Sequence, residues 1–273
     1  MGRIKVGIAG VSGRMGRMLL EAVCGHDGTV LGGACERSDH AWVGKKLASL
    51  TGLDCGDVAV APGPEEAFAG LDAVLDFTCP AASLELAGVA ARERLVHVIG
   101  TTGFSDDDLA GIAVCADETV IVRAGNMSLG VNLCVRMIKQ IAGALDDAFD
   151  IEVIEMHHRD KVDAPSGTAL MLGKAAAAGR GVDLDVVAVR GRDGISGARK
   201  RGAIGFAAIR GGDVVGEHDV VFAAAGERII LRHIATDRSI YARGAVKAAL
   251  WGIEQPAGEY DMCDVLGLQR LDS

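Results

Sequence analysis

The chain has 273 residues, of which 49% are hydrophobic and only 4% aromatic, with glycine at 38 positions. That length buries a sizeable core in one large domain or two ordinary ones, and the apolar content excludes a disordered chain. Lys+Arg 28 against Asp+Glu 37 gives a net charge of -9. The acidic balance removes any general attraction to phosphate backbones, and the scarcity of aromatics argues against base-stacking platforms, so no nucleic-acid partner is expected.

From the N-terminus, Ile4–Ala9 reads as a buried strand and 14–23 as a helix with apolar Met15, Met18, Leu19 and Val23. Further strands are predicted at Thr29–Cys35, 73–77, 95–99 and 119–124, with helices at 81–92 and 105–113. Continuous apolar strands alternating with helices indicate a parallel sheet covered on both faces, wound doubly by right-handed crossovers. After Asn126 the pattern changes. A long helix at 128–145, with Ser128 as its cap, precedes a strand at 149–156 and a helix at 166–178. Strand candidates then fill 186–240, where 219–223 and 227–234 flank a turn at Ala225-Gly226 as an antiparallel hairpin. This is an α+β domain appended to an α/β one. A last helix at 241–253 fits either.

No stretch is long and apolar enough to span a membrane, and Met1–Lys5 lead straight into the first strand without a signal region. A cytoplasmic protein without a membrane partner is therefore expected. The seven cysteines are scattered and form no CxxC pair, which argues against a zinc knuckle or a redox dithiol.

Two stretches carry chemistry. Gly10-Val11-Ser12-Gly13-Arg14-Met15-Gly16 joins the first strand to the first helix. Gly10 permits the tight turn and Gly13 a close backbone approach to a pyrophosphate, whose charge meets the helix N–H groups. Glu36 follows the second strand, where a carboxylate would hold an adenosine ribose, and Arg37 beside it could pair with a 2′-phosphate. That combination admits NADH and NADPH alike. Gly100-Thr101-Thr102-Gly103 and Ala124-Gly125-Asn126-Met127-Ser128 each close a predicted parallel strand and would border the nicotinamide, although both also suit ordinary turns.

The second stretch runs from Glu155-Met156-His157-His158-Arg159-Asp160-Lys161 through Pro165-Ser166-Gly167-Thr168. Two histidines and a lysine offer donors that titrate near neutrality or carry full charge. Adjacent histidines on a strand face opposite ways, so no metal site is expected. The helix opened by Ser166 offers bare N–H groups to a carboxylate, while simple capping by Ser166 explains the same residues equally well. Arg190, Arg192, Arg199, Lys200 and Arg201 form a basic loop, readable as an anion-attracting lid or as a solvated or subunit-contact segment.

Taken together with Asn126-Met127-Ser128-Leu129-Gly130-Val131, these motifs stand in the order that resembles the 4-hydroxy-tetrahydrodipicolinate reductase family, over essentially the whole chain. The resemblance implies a Rossmann-like domain at 1–127 and 239–273, with a substrate-binding and oligomerisation domain at 128–238; because the two motif sets lie in different domains, closure around the ligands is expected. It implies reduction, by NADH or NADPH and with loss of water, of a cyclic imine dicarboxylate in the diaminopimelate route to lysine. Gly10, Val11, Ser12, Gly13, Arg14 and Met15 would wrap the pyrophosphate, Glu36 and Arg37 the ribose side, and Gly100, Thr101, Thr102, Ala124, Gly125, Asn126 and Met127 the nicotinamide. His157 would be the proton donor or acceptor, Lys161 a second donor, and His158, Gly167 and Thr168 substrate contacts. A homotetramer is also implied. Gly125 departs from the family, where Pro or Ser is common. The competing expectations are a non-catalytic nucleotide-responsive sensor on the same scaffold, or another amino-acid dehydrogenase.

Overall fold

The computed structural model describes residues 2–268. The chain divides into two compact units, Met1–Ser128 with Ser239–Ser273, and Leu129–Arg238. Residues 269–273, inside the range expected for the first domain, lie outside the described residues.

Unit 1 runs β1 (Ile4–Ala9), α1 (Arg14–Cys24), β2 (Thr29–Cys35), α2 (Leu47–Thr51), β3 (Val60–Ala61), α3 (Pro64–Phe68), β4 (Ala73–Asp76), α4 (Pro80–Glu93), β5 (Val96–Ile99), α5 (Asp106–Ala116) and β6 (Val120–Arg123). The central strands β4 and β5 are buried at every residue, as a parallel sheet covered on both faces requires. Leading from β3, the strands lie in the order β3-β2-β1-β4-β5-β6, all parallel. This is the doubly wound dinucleotide-fold order, with its reversal between β1 and β4, where loops from the two halves diverge and leave a crevice. Helix α5 starts where Ser105 accepts from the Asp108 N–H and the Asp108 carboxylate accepts from the Ser105 N–H. This reciprocal capping satisfies two donors that a helix start leaves bare.

Unit 2 runs α6 (Leu129–Ala144), β7 (Asp150–His157), α7 (Gly167–Gly179), α8 (Leu184–Val187), β8 (Ala188–Val189), β9 (Ile204–Arg210), β10 (Gly216–Ala224) and β11 (Glu227–Ala235). Its sheet has the order β11-β10-β7-β9-β8. The expected hairpin is present: β10 and β11 pair antiparallel through a turn at Ala225-Gly226. Along β7, burial alternates strictly, so Ile151, Val153, Glu155 and His157 share the inner face. The first two join Phe206, Val220 and Phe222 beneath α6 and α7 in one apolar cluster. The inner face thus changes from apolar to ionisable along one strand.

The chain then returns to unit 1 as α9 (Ser239–Gly252), β12 (Gly258–Tyr260) and α10 (Met262–Val265). Helix α9 packs on α1 and on β4, β5 and β6, which settles the placement left open by periodicity. Strand β12 extends the sheet as a seventh, parallel strand beside β6. The elements that escaped sequence patterning (α2, β3, α3, α8, β8, β12 and α10) have two to five residues, too few to display a period.

Candidate active site

In unit 1 a cleft of about 450 Å³ opens at the β1–β4 divergence. Gly10, Ser12, Gly13, Glu36, Arg37 and Thr78 are among its lining residues. Gly10 has φ +66°, a left-handed conformation that strains any residue with a Cβ. At Gly16 a Cβ would lie 2.2 Å from the Gly10 carbonyl oxygen, so only glycine lets α1 start this close to the turn.

The backbone donors of this turn are apportioned in a way the sequence does not reveal. The N–H groups of Gly10 and Val11 donate to the Cys35 carbonyl, that of Ser12 to Glu36 Oε1 (2.8 Å), and that of Gly13 to the Gly10 carbonyl. Val11 itself is fully buried. Among the described residues, the N–H groups of Arg14, Met15 and Gly16 have no partner, and Gly13 caps the helix without a side-chain bond. Three bare donors at the positive end of an eleven-residue helix, beside a carboxylate tethered by one oxygen, fit a dinucleotide diphosphate and its ribose. Arg37 is exposed beside Asp39. Gly100, Thr101, Thr102 and Ala124 to Met127 follow the carboxyl ends of β5 and β6 on the same side of the sheet, outside the residues that line the cleft.

In unit 2 the ionisable groups converge on Glu155, whose side chain is 1% exposed. Arg210, at the end of β9, donates to both its oxygens (2.8 and 2.7 Å), His157 Nδ1 donates to Oε2 (2.5 Å), and the Ser166 N–H donates to Oε1 (3.1 Å). Parallel pairing of β7 with β9 sets His157 opposite Arg210, and antiparallel pairing with β10 sets Glu155 opposite His218. His218 Nε2 meets Ser166 Oγ at 3.1 Å, and its ring stands edge-on to His157 with centroids 5.0 Å apart.

Burial alone would raise the Glu155 carboxyl, but Arg210, His157 and the Ser166 N–H outweigh it and hold it below the ordinary carboxylate range. Burial pushes the His157 imidazole down despite the pull of Glu155. It pushes His218 down to about 4, with His157 as the next cause. The imidazole of His157 is therefore neutral near pH 7, and with Nδ1 donating to Glu155 its Nε2 carries a lone pair.

His158 donates its N–H to the Val214 carbonyl, and its Nε2 accepts from Arg238 at 3.3 Å. Lys161 Nζ donates to Asp163 Oδ1 at 2.7 Å. Helix α7 begins at Gly167, with Ser166 Oγ accepting from the Ala169 N–H, while the Gly167 N–H has no partner among the described residues. Capping and a free donor thus coexist at this helix start. The basic loop, by contrast, is engaged within unit 2: Arg190 pairs with Asp185, Arg192 with Glu152, Arg199 with Asp150 and Glu152, and Arg201 with Asp147. Those pairs favour a structural segment over an anion-attracting lid.

Residues 4–127 match the family description "Dihydrodipicolinate reductase, N-terminus", and residues 130–266 match "Dihydrodipicolinate reductase, C-terminus". The chain belongs to the dihydrodipicolinate reductase family. Proteins named 4-hydroxy-tetrahydrodipicolinate reductase from Dinoroseobacter shibae and Ruegeria pomeroyi are each 62% identical to it over 261 residues, covering 96% of this chain and 97% of theirs. The fold is that of a dipicolinate-bound dihydrodipicolinate reductase from Paenisporosarcina sp. TG-14, at TM-score 0.75 and 24% identity over 96% of this chain and 98% of that one. An amine dehydrogenase from Mycobacterium smegmatis shares the architecture at TM-score 0.60 and 17% identity, covering 99% of this chain and 97% of that one. Membership in this reductase family and the doubly wound sheet assign a pyridine nucleotide as the cofactor class.

Arg210 and His218 went unnoticed in the sequence. Arg210 heads a Gly-Gly-Asp turn and reads as loop chemistry, while His218 lies 61 positions from His157. The alternation of β10, with buried positions at 216, 218, 220 and 222, is the signal that an inward histidine was present.

Proposed function

We propose that this chain reduces 4-hydroxy-tetrahydrodipicolinate to tetrahydrodipicolinate with loss of water, in the diaminopimelate route to lysine. The observation that carries this reading is the buried His157, fixed through Nδ1 by Glu155, with Lys161 and the α7 N-terminus following it in the chain. A reduced nicotinamide, when bound, supplies the hydride. The N–H groups of Arg14, Met15 and Gly16 hold the diphosphate, Glu36 accepts from a ribose hydroxyl, and Arg37 meets a 2′-phosphate when NADPH is used. Gly100 to Thr102 and Ala124 to Met127 border the nicotinamide end.

Two substrate carboxylates call for Lys161, His158 with Arg238 behind it, and the Gly167 and Thr168 end of α7. Overall, one proton is taken up with the hydride as water departs. Lys161 is the second proton donor in this reading. His157 Nε2, holding a lone pair, takes one before it gives one, and so serves as relay. Glu155 keeps the ring oriented and stabilises the imidazolium formed in passing.

The outer face of the unit 2 sheet supports a homotetramer. Ile209, Ile230 and Ile234 are 48, 55 and 50% exposed there, on a face shared with Glu217 and Arg232 that another copy would cover. Light scattering on purified protein checks this, with a monomer or a dimer refuting it. For the reaction, the purified chain is given the aldehyde–pyruvate condensation product, generated by a synthase, and oxidation of NADH and of NADPH is followed. His157→Gln is expected to lower kcat by roughly 10²–10³ with a much smaller change in KM. Unchanged turnover in that variant would refute the assignment of His157, and no reductant consumption by the parent chain would refute the reaction.

A further inference from the structure

A second buried ionisable pair lies in unit 1, apart from the residues assigned above. Asp76 ends β4 and His97 lies on β5, and both are 0% exposed. A carboxylate inside an apolar sheet is costly unless its oxygens are hydrogen-bonded. Both oxygens of Asp76 accept. Oδ2 accepts from His97 Nε2 at 3.3 Å, while Oδ1 accepts from the Thr78 N–H (3.0 Å), Thr78 Oγ1 (2.6 Å) and Thr101 Oγ1 (3.3 Å). The Thr78 N–H is shared with Thr101 Oγ1 at 2.9 Å.

These bonds tie a segment that lines the cleft to the loop after β5. Thr78 lines it, and its Cγ2 lies 3.1 Å from where a Cβ on Gly10 would stand, so the threonine rests against the glycine turn. Thr101 belongs to the loop after β5. The Phe77 ring occupies the place of a Cβ on Gly100, 2.2 Å away, so the two loops also interlock sterically. Packing does not account for the histidine: its Nδ1 has no partner among the described residues, a defect that an apolar side chain at 97 would avoid. What His97 adds is a donor to the far oxygen of Asp76.

We propose that Asp76, backed by His97, is a positioning residue that holds Thr78 against the glycine turn, with the Thr101 loop bonded to it, in the arrangement that receives the dinucleotide. The proposal rests on reading the cleft as the dinucleotide site. Without the carboxylate, the loops populate other arrangements, and apparent affinity falls in proportion to the competent fraction.

The test uses the full chain and measures binding of NADH and NADPH by calorimetry without substrate, alongside the thermal midpoint. Asp76→Ala is expected to weaken binding about tenfold, and Asp76→Asn, which keeps an oxygen for Thr78, to remain within about threefold of the parent. In turnover, the cofactor KM should rise in Asp76→Ala while the substrate KM holds. Asp76→Ala binding within about twofold of the parent while melting earlier would mean a purely structural role and overturn the proposal, as would an Asn variant no better than Ala. If Asp76→Ala does not fold, Thr101→Val, which removes only one hydroxyl, should still bind about threefold more weakly. Unchanged binding there also overturns it. Glu36→Ala tests the cleft separately. If the parent chain binds neither nucleotide, or Glu36→Ala binds as well as the parent, the dinucleotide reading itself fails and takes the proposal with it.

Discussion

Replacing Glu155 by alanine removes the acceptor on which unit 2 converges. Three donors lose their partner at once: the Arg210 guanidinium, His157 Nδ1–H and the Ser166 N–H. An orphaned buried donor costs about 1–3 kcal/mol, and breaking a buried ion pair by deleting one member costs about 3–5 kcal/mol. The Arg210 side chain is 20% exposed and still bonds the Asp163 carbonyl, so part of its charge finds solvent and part of the penalty is relieved. The expected loss is about 3–5 kcal/mol in total, not the sum of three separate penalties, because the donors share one site and relax together. Urea unfolding followed by far-UV circular dichroism measures it, with an unchanged slope showing that only stability moved. Glu155→Gln, which keeps an oxygen and the volume, should lose about 1–3 kcal/mol. A loss under about 1 kcal/mol for Glu155→Ala would refute the view that this carboxylate is the centre of the network.

Three further outcomes are expected. Arg37→Ala should weaken NADPH more than NADH in direct binding, since only the former carries a 2′-phosphate; equal losses would deny Arg37 that role. His218, with its folded value depressed from 6.5 to about 4, stays neutral while the unfolded chain takes up a proton, so stability falls as pH drops from about 6.5 to about 4. That shift is worth about 3 kcal/mol over the window, and His218→Gln should flatten the pH dependence of the unfolding free energy by that order; parallel curves for the two proteins would refute it. Gly16→Ala forces a methyl into the Gly10 carbonyl, and backbone must move, so a loss of about 1–3 kcal/mol together with weaker dinucleotide binding is expected, whereas a parent-like thermal midpoint would refute the close approach.

The doubly wound sheet was legible because its determinants are local. Strands such as Ile4–Ala9 and Thr29–Cys35 are mostly apolar and largely buried, and the glycine turn between strand and helix is set by backbone sterics at adjacent positions. The candidate residues His157, Lys161 and Gly167 were legible for the same reason, being packed into one short stretch from the end of β7 onward. What these groups do to one another was not legible. Arg210 and His218 reach Glu155 only through the parallel pairing of β7 with β9 and the antiparallel pairing with β10. A protonation state is a property of burial and of charges brought from other strands, so no local pattern encodes it. The same holds for the glycine turn: composition and spacing marked it as a place for a diphosphate, but the bonds to Cys35, Glu36 and the Gly10 carbonyl decide that the free donors begin at Arg14. Sequence alone determined which chemical groups are present and on which kind of element. Tertiary structure decided which of them are neutral, which are already spent, and which are left to meet a ligand, because hydrogen bonds and desolvation act between segments that only the fold makes neighbours.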